Sequence, residues 1–127
     1  MHSLLAYSPE VAAARDSGLP IVALESTIIA HGLPKPRNLE TALALEDVVR
    51  EAGAVPATIS IARGRILIGL DRDTLAEIAS ADGVMKVSRR DLPPCLAGGR
   101  LRATTVAGTM IGAHHAGIRV FATGGIG

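Results

Sequence analysis

Short apolar runs rich in isoleucine and valine recur along the chain and alternate with longer stretches of helical periodicity. Runs of this length are typical of strands that are covered on both faces of a sheet. The five predicted strands are Ile21–Leu24, Ala57–Ala62, Ile66–Leu70, Val84–Ser88 and Ile118–Thr123. Between the second and third strands, Arg63 and Gly64 are typical of a tight hairpin turn, which predicts that this pair is antiparallel.

Caps, stops and apolar spacing predict helices between these strands. Asn38 is predicted to cap a helix from Leu39 to about Ala52, which Gly53 ends in a left-handed conformation. Asp71 or Asp73 can cap a shorter helix. Helices that alternate with apolar strands favour an α/β fold, with three α/β/α layers and a mixed, largely parallel sheet.

Two further helices are predicted in the second half of the chain. Asp91 precedes Pro93, which is the usual order of a cap and an early helical proline. The last helix runs from Thr105 to about Ala116 and contains Gly108 and Gly112. These two glycines favour close packing of the helix on its neighbours over contact with a ligand.

Composition narrows the function classes. The 127 residues fit one α/β domain over residues 1–127, 48% of them are hydrophobic, and the formal net charge is +1. So small a charge, with one tyrosine, one phenylalanine and no tryptophan, disfavours nucleic-acid binding. The N-terminus lacks the pattern of a signal peptide and no apolar run is long enough to span a membrane, so we expect a cytoplasmic protein.

The sequence ends in VFATGGIG, an apolar strand that runs into a glycine-rich turn. In open α/β sheets, ligands bind in loops beyond the carboxyl ends of strands. The chain therefore stops where a binding loop would begin, and we interpret it as the front part of a longer domain whose sheet is incomplete here.

Glu25 lies at the end of the first predicted strand, in the run VALESTIIAHGLP. A carboxylate there is costly unless it is paired, hydrogen-bonded or protonated, and such a group suits proton transfer. The alternative is that Glu25 caps a turn or pairs with a surface arginine. Ser26 and Thr27 can hold the carboxylate or simply satisfy the turn. His31 precedes Gly32, where a structural loop histidine is commoner than a catalytic one.

Lys86 lies within an apolar predicted strand, where a buried ammonium needs an anion nearby. Ser88, Arg89 and Arg90 follow at once, and a lysine, a hydroxyl and two arginines together suit a phosphate group. The alternative is a solvated basic edge in which Asp91 pairs with an arginine. Residue types and spacing alone thus indicate a small-molecule α/β enzyme with an anionic substrate.

Five blocks of sequence carry a resemblance to a known family. They are VALESTIIAHGLPKPRNLETA, GAVPATISI, KVSRRDLP, ATTVAGTM and GIRVFATGGIG. In this order and spacing, from about Ile21 to Gly127, they resemble the N-terminal portion of the pseudouridine-5′-phosphate glycosidases, also called the indigoidine synthase A-like family. The resemblance implies reversible cleavage of pseudouridine 5′-phosphate to uracil and ribose 5-phosphate, as part of pseudouridine catabolism.

The resemblance also implies a mechanism and an assembly. The bond that breaks joins carbon to carbon, so the family opens the sugar on a lysine as a Schiff base, which accepts electrons while the uracil carbon is protonated. A divalent metal, usually Mn²⁺, assists, and the protein is expected to be a homotrimer.

Residue roles follow from the matched motifs. The resemblance makes Glu25 the proton donor and Lys86 a substrate ligand, most directly through the phosphate. Val106 falls at a substrate contact through its backbone, and Thr105 and His31 are expected to line the same site.

The Schiff-base lysine and the metal-binding aspartate of the family belong to a part that follows these 127 residues. The chain has two lysines, Lys35 and Lys86, and neither matches the nucleophile's motif, so we expect no metal ligand and no nucleophile in this chain. Two alternatives stay open at this point. The chain is either a catalytically inert fragment, or a phosphosugar-binding partial domain that a separate C-terminal half completes.

Overall fold

The computed structural model describes residues 4–124. Within them, seven strands form one sheet. The strands are β1 (Leu5–Tyr7), β2 (Ile21–Leu24), β3 (Val55–Ala62), β4 (Arg65–Ile68), β5 (Lys86–Val87), β6 (Arg102–Thr104) and β7 (Val120–Ala122). The helices are α1 (Pro9–Ser17), α2 (Arg37–Glu51), α3 (Arg72–Ser80), α4 (Leu92–Ala97) and α5 (Val106–His115).

The sheet is mixed and largely parallel, as predicted. Its main order is β1-β4-β3-β2-β7, with β6 also paired to β3 and β5 paired to β6. The pairs β1–β4, β2–β3, β2–β7 and β5–β6 are parallel, whereas β3–β4 and β3–β6 are antiparallel. The predicted hairpin between β3 and β4 is confirmed. Arg63 and Gly64 both have positive φ, 53° and 72°, which matches the twist of a two-residue hairpin turn.

Helices cover both faces of the sheet. Successive side chains of β3 point to opposite faces, so their contacts show which helices lie on each face. Ile59 and Ile61, both 0% exposed, belong to a core cluster with residues of α1, α4 and α5. The hydroxyl of Thr58 points the other way and donates to Glu46 of α2. A second cluster joins α2 and α3 on that side. The three-layer α/β/α prediction is therefore confirmed.

The two glycines of α5 bring its backbone onto the sheet. A Cβ at Gly108 would lie 2.5 Å from the carbonyl oxygen of Val87. A Cβ at Gly112 would lie 3.0 Å from Ile66 and 3.2 Å from Ile59. Close packing, the predicted role, is confirmed for both positions.

The predicted cap at Asn38 is wrong, whereas Asp91 is the N-cap residue of α4, with Pro93 in the first turn, although its side chain makes no cap bond to that helix. Asn38 lies inside α2 and is 2% exposed, and its Nδ2 donates to the carbonyls of Ile29 (3.0 Å) and Ala79 (2.7 Å). It therefore ties elements together rather than capping. The Asp91 carboxylate accepts from the Ser88 amide at 3.1 Å in a capping box of the short 3₁₀ turn before α4.

Asp71 caps α3, since its Oδ1 accepts from the Thr74 amide at 2.7 Å. That hydrogen bond lowers the pKa of Asp71.

The sequence reasoning missed β1, α1 and β6. The start of α1 did carry a signal, because Ser8 caps the helix and Pro9 stands at its first position. By contrast, β6 is three residues long and too short for periodicity to reveal it. The predicted strand Val84–Ser88 shrinks to Lys86–Val87. None of the helices in residues 4–124 is long and apolar enough to cross a membrane.

Candidate active site

An open groove of about 740 Å³ gathers the residues that the sequence singled out. Its lining residues are Glu25, Thr27, Ile28, His31, Gly32, Lys86, Thr105, Val106, Ala107 and Met110. All five predicted site residues, which come from three separate stretches of the chain, are in this set. Their chemical roles stay predictions, but the fold places them around one space.

The groove forms because two strands run toward each other along one edge of β3. Strand β2 pairs in parallel with residues 55–58 of β3, whereas β6 pairs antiparallel with Ser60 and Ile61. Their carboxyl ends therefore meet beside Ile59. The residue after β2 is Glu25 and the residue after β6 is Thr105, so strand direction alone brings these two positions together.

Glu25 is half-buried, and hydroxyl groups hold its carboxylate. Thr123 Oγ1 donates to Oε1, and Thr27 Oγ1 lies 3.4 Å from Oε2. Within residues 4–124, no lysine, arginine or histidine forms an ion pair with Glu25. Of the two candidates for holding this carboxylate, Thr27 contacts it, while the buried Ser26 bonds to the Ile59 carbonyl instead.

Lys86 is exposed, so the expectation of a buried ammonium is wrong. Strand β5 has two residues, and Val87, at 0% exposure, takes the side that faces the core. Lys86 then points to the other side and lines the groove. Among the described residues it has no ion-pair partner, which leaves its ammonium available to an anion.

The predicted cluster of Lys86 with Ser88, Arg89 and Arg90 is divided in the fold. The last three line a separate depression of about 530 Å³, together with Asp91 and Pro93. The alternative, in which Asp91 pairs with an arginine, is not found in residues 4–124 either, because its carboxylate accepts from a backbone amide.

Thr105 and Val106 form the start of α5 at the groove. Thr105 is the N-cap, and its Oγ1 accepts from the Gly108 amide at 3.3 Å. Its own amide donates to the Val87 carbonyl at 3.1 Å, which ties the helix start to β5. First-turn amides of a helix lack intrahelical partners and favour anions, so the backbone at Val106 suits contact with a negatively charged group.

His31 lies exposed on a π-helical turn, Ile28–Gly32, that forms another wall. The buried side chain of Asn38 holds this turn in place through the Ile29 carbonyl. Sequence reasoning missed Asn38 as a support and missed Met110 as a lining residue. The spacing of Met110 was informative, because it lies four residues after Val106 and so on the same face of the helix.

The implied Mn²⁺ can be tested against the donor groups present. In residues 4–124, no three His, Cys, Asp or Glu side chains are placed together to hold a metal ion. Glu25 and His31 are the side chains of these types that line the groove, which is too few for a hard divalent cation. The described residues do not fit a manganese site, and manganese stays a prediction from the resemblance.

Comparison with known proteins defines the class. The family model described as indigoidine synthase A like protein matches residues 10–127. The chain therefore belongs to the indigoidine synthase A-like family.

Two curated relatives have the same name. A pseudouridine-5′-phosphate glycosidase of Jannaschia sp. is 64% identical over 97% of this chain and 41% of the relative. A second enzyme of that name, from Rhodospirillum centenum, is 62% identical over 100% of this chain and 39% of the relative. The chain thus spans about two-fifths of the length of these curated relatives.

Solved structures agree on the fold. The prealnumycin C-glycosynthase AlnA, in complex with ribulose 5-phosphate, matches with a TM-score of 0.86 and 49% identity, over 98% of this chain and 40% of that one. An indigoidine synthase A-like protein of Thermotoga maritima matches with a TM-score of 0.85 and 32% identity, over 100% and 41%.

Proposed function

We propose that this chain forms the proton-donor and phosphate-binding part of a pseudouridine-5′-phosphate glycosidase domain. The observation that carries the proposal is the groove in which Glu25, Lys86 and the start of α5 face one space. The names of the relatives supply the substrate, and the proposal extends their activity to the protein of which this chain is a part.

Glu25 would exchange the proton on the uracil ring. Its carboxyl is open to the groove, is fixed by threonine hydroxyls and is not neutralised by a cation within the described residues. A carboxyl in this setting can carry a proton to a carbon atom as the bond from that carbon to the sugar breaks.

The phosphate would lie between Lys86 and the N-terminus of α5. An exposed ammonium and the amides at the N-terminus of a helix combine a point charge with directed donors, a pairing that suits a phosphate. Lys86 would thereby bind the substrate and leave the Schiff base to a lysine outside these 127 residues. Lys35 is not available for that role, because it bonds to Asp82 and the Ser80 carbonyl away from the groove.

The finer properties of the complete enzyme belong to the same proposal. It would be a cytoplasmic homotrimer that uses Mn²⁺ through a ligand outside this chain, and residues 1–127 would be part of a single longer α/β domain. The trimer, the Mn²⁺ and the longer domain rest on the family resemblance, and the cytoplasmic location rests on the expectation drawn above from the sequence pattern.

The test uses a chimera in which residues 1–127 replace the segment they match in the Rhodospirillum centenum relative. Purified chimera and isolated chain are each given pseudouridine 5′-phosphate with Mn²⁺, and uracil release is measured. We expect turnover by the chimera and none by the chain alone. A folded chimera without turnover overturns the proposal, and turnover by the isolated chain overturns the assignment of the Schiff base to a residue outside it.

A further inference from the structure

The head-to-head meeting of β2 and β6 leaves backbone groups that no strand can pair. Residues 55–58 of β3 pair with β2, and Ser60 and Ile61 pair with β6, so the carbonyl of Ile59 faces the gap between them. The amide of Thr104 faces the same gap. Buried backbone groups of this kind cost free energy unless another donor or acceptor satisfies them.

Side-chain hydroxyls satisfy both groups. The Ser26 hydroxyl donates to the Ile59 carbonyl at 2.6 Å and accepts from the Thr104 amide at 2.8 Å. The Thr104 hydroxyl donates to the same carbonyl at 2.7 Å. We call Ser26, Ile59, Thr104 and Thr109 the strand junction, and all four residues are 0% exposed.

The protons at the strand junction have one consistent arrangement. Thr104 has one hydroxyl proton and donates it to the Ile59 carbonyl. The Thr109 hydroxyl, 2.7 Å from that of Thr104, must therefore donate to Thr104. The Ser26 hydroxyl likewise donates its proton to the Ile59 carbonyl, and its oxygen accepts from the Thr104 amide. A network with one arrangement fixes the atoms it joins more tightly than one that can reorient.

The strand junction lies directly beneath the groove. Glu25 precedes Ser26, and Thr105 follows Thr104, so one peptide unit separates Ser26 and Thr104 from a lining residue. Thr27, on the Glu25 side, adds a bond from its hydroxyl to the Thr104 carbonyl at 3.0 Å. These side-chain bonds, together with a backbone bond of 3.4 Å from the Ser26 amide to the Thr104 carbonyl, hold together two segments that are 78 residues apart in sequence.

We propose that Ser26 and Thr104 are positioning residues, which set the place of Glu25 relative to the start of α5 and to Lys86. The catalytic consequence rests on the function proposed above, whereas the mechanical link does not. Misplacement of a reacting group by about 1 Å can cost roughly a hundredfold in rate, so small changes at the junction should register in turnover.

Ser60, which follows Ile59 on β3, offers a matched control. It is 0% exposed, as Ser26 is, but its hydroxyl has no hydrogen-bond partner among the described residues. Ser60→Ala and Ser26→Ala therefore remove the same atom from equally buried sites, and they differ in whether the hydrogen bonds of the junction are lost.

The kinetic test compares Ser26→Ala, Thr104→Val, Thr104→Ser and Ser60→Ala in the chimera. We expect the first two to lower kcat about tenfold or more with KM changed less than about threefold, because positioning is lost while phosphate binding persists. Thr104→Ser, which keeps the hydroxyl, and Ser60→Ala should stay within about twofold of the parent. If Thr104→Val is as active as the parent, or if Thr104→Ser is as impaired as Thr104→Val, the hydroxyl is not what positions the groove.

A second measurement does not depend on substrate. Amide hydrogen exchange of the intact 127-residue chain should show about tenfold or greater loss of protection at Thr104 in Ser26→Ala and no such loss in Ser60→Ala. Unchanged protection at Thr104 would overturn the link itself. Loss of protection in a chimera that shows no turnover would instead keep the link and count against the proposed glycosidase function.

Discussion

Glu25 and Glu46 are two glutamates near the same sheet, and they differ in burial and in whether a cation contacts the carboxylate. Glu46 on α2 is 5% exposed, accepts from the Thr58 hydroxyl at 2.7 Å and lies 3.4 Å from an Arg50 nitrogen. Glu25 is half-buried at a groove, and threonine hydroxyls contact it in place of a cation. The fold supplies a counter-charge to the carboxylate that joins helix to sheet and withholds one from the carboxylate that faces the groove.

The network around Arg50 shows what a structural ion cluster looks like in this chain. Arg50 donates to Glu10 through two nitrogens, each at 2.9 Å, and to Asp47 at 3.0 Å. Hydrogen bonds from Arg50 lower the pKa of Glu10, whereas burial raises the pKa of Glu46 despite its bonds to Thr58 and Arg50. The pKa values of Glu10 and Glu46, which contact the same arginine, are therefore shifted in opposite directions.

The largest expected effect is a loss of turnover when the carboxyl of Glu25 is replaced. In the chimera, Glu25→Gln should lower kcat for uracil release by about a hundredfold or more, because an amide cannot supply the proton. Glu46→Gln is the matched control and should keep turnover within about threefold. Equal turnover by the two variants would remove Glu25 from the proton-donor role.

Replacement of Lys86 tests whether the groove binds the phosphate group of the substrate. Lys86→Ala should weaken binding of ribose 5-phosphate to the chimera about tenfold or more, the usual cost of a hydrogen bond to a charged group. Lys35→Ala makes the same change at a lysine that is paired with Asp82 and lies outside the groove. Titration calorimetry on both variants decides the point, and equal affinities would take Lys86 out of the phosphate site.

The pH dependence of the free energy of unfolding tests the structural role of Glu46 through the variant Glu46→Gln. The folded-state pKa of Glu46 is raised, so its favourable contribution is present below the unfolded pKa and is lost as pH rises through the folded one. The variant lacks this loss, so its free energy of unfolding relative to the parent should increase as pH rises above the ordinary range of a glutamate carboxyl. Urea unfolding of the chain at several pH values measures it, and a parallel shift of both proteins with pH would contradict the assignment.

Glu10→Gln should give the smallest change in stability, and this change should depend on pH in the opposite direction to that of Glu46→Gln. Its folded-state pKa is lowered, so its contribution is present above the unfolded pKa and is lost as pH falls through the folded one. Because the pair with Arg50 is partly exposed, Glu10→Gln should cost less than about 1 kcal/mol near pH 7, and added salt should reduce that cost. A cost that grows on acidification, measured by the same urea titration, would be incompatible with this pairing.

Sequence reasoning succeeded mainly where the signal was local, although it overlooked the local signal of Ser8 and Pro9 at the start of α1. Strand Ile21–Leu24, the hairpin at Arg63 and Gly64, and the cap at Asp71 were all found, because each depends on neighbours within a few residues. It failed at Asn38, which has the residue type of a cap but is used to join the π-helical turn to α3. Nothing in the neighbouring residues distinguishes these two uses.

The sequence by itself determined most of the strands and helices, though not β1, α1 and β6, and it determined that Glu25 follows an apolar strand. Periodicity and capping chemistry act over a single turn or strand, so they can be read from the chain directly. Only the tertiary structure decided that β6 runs head-on toward β2, that Lys86 is exposed, and that Ser26 bonds to residues 33 and 78 positions away. Those outcomes depend on which strands pair and in which direction, and pairing is a property of the whole sheet.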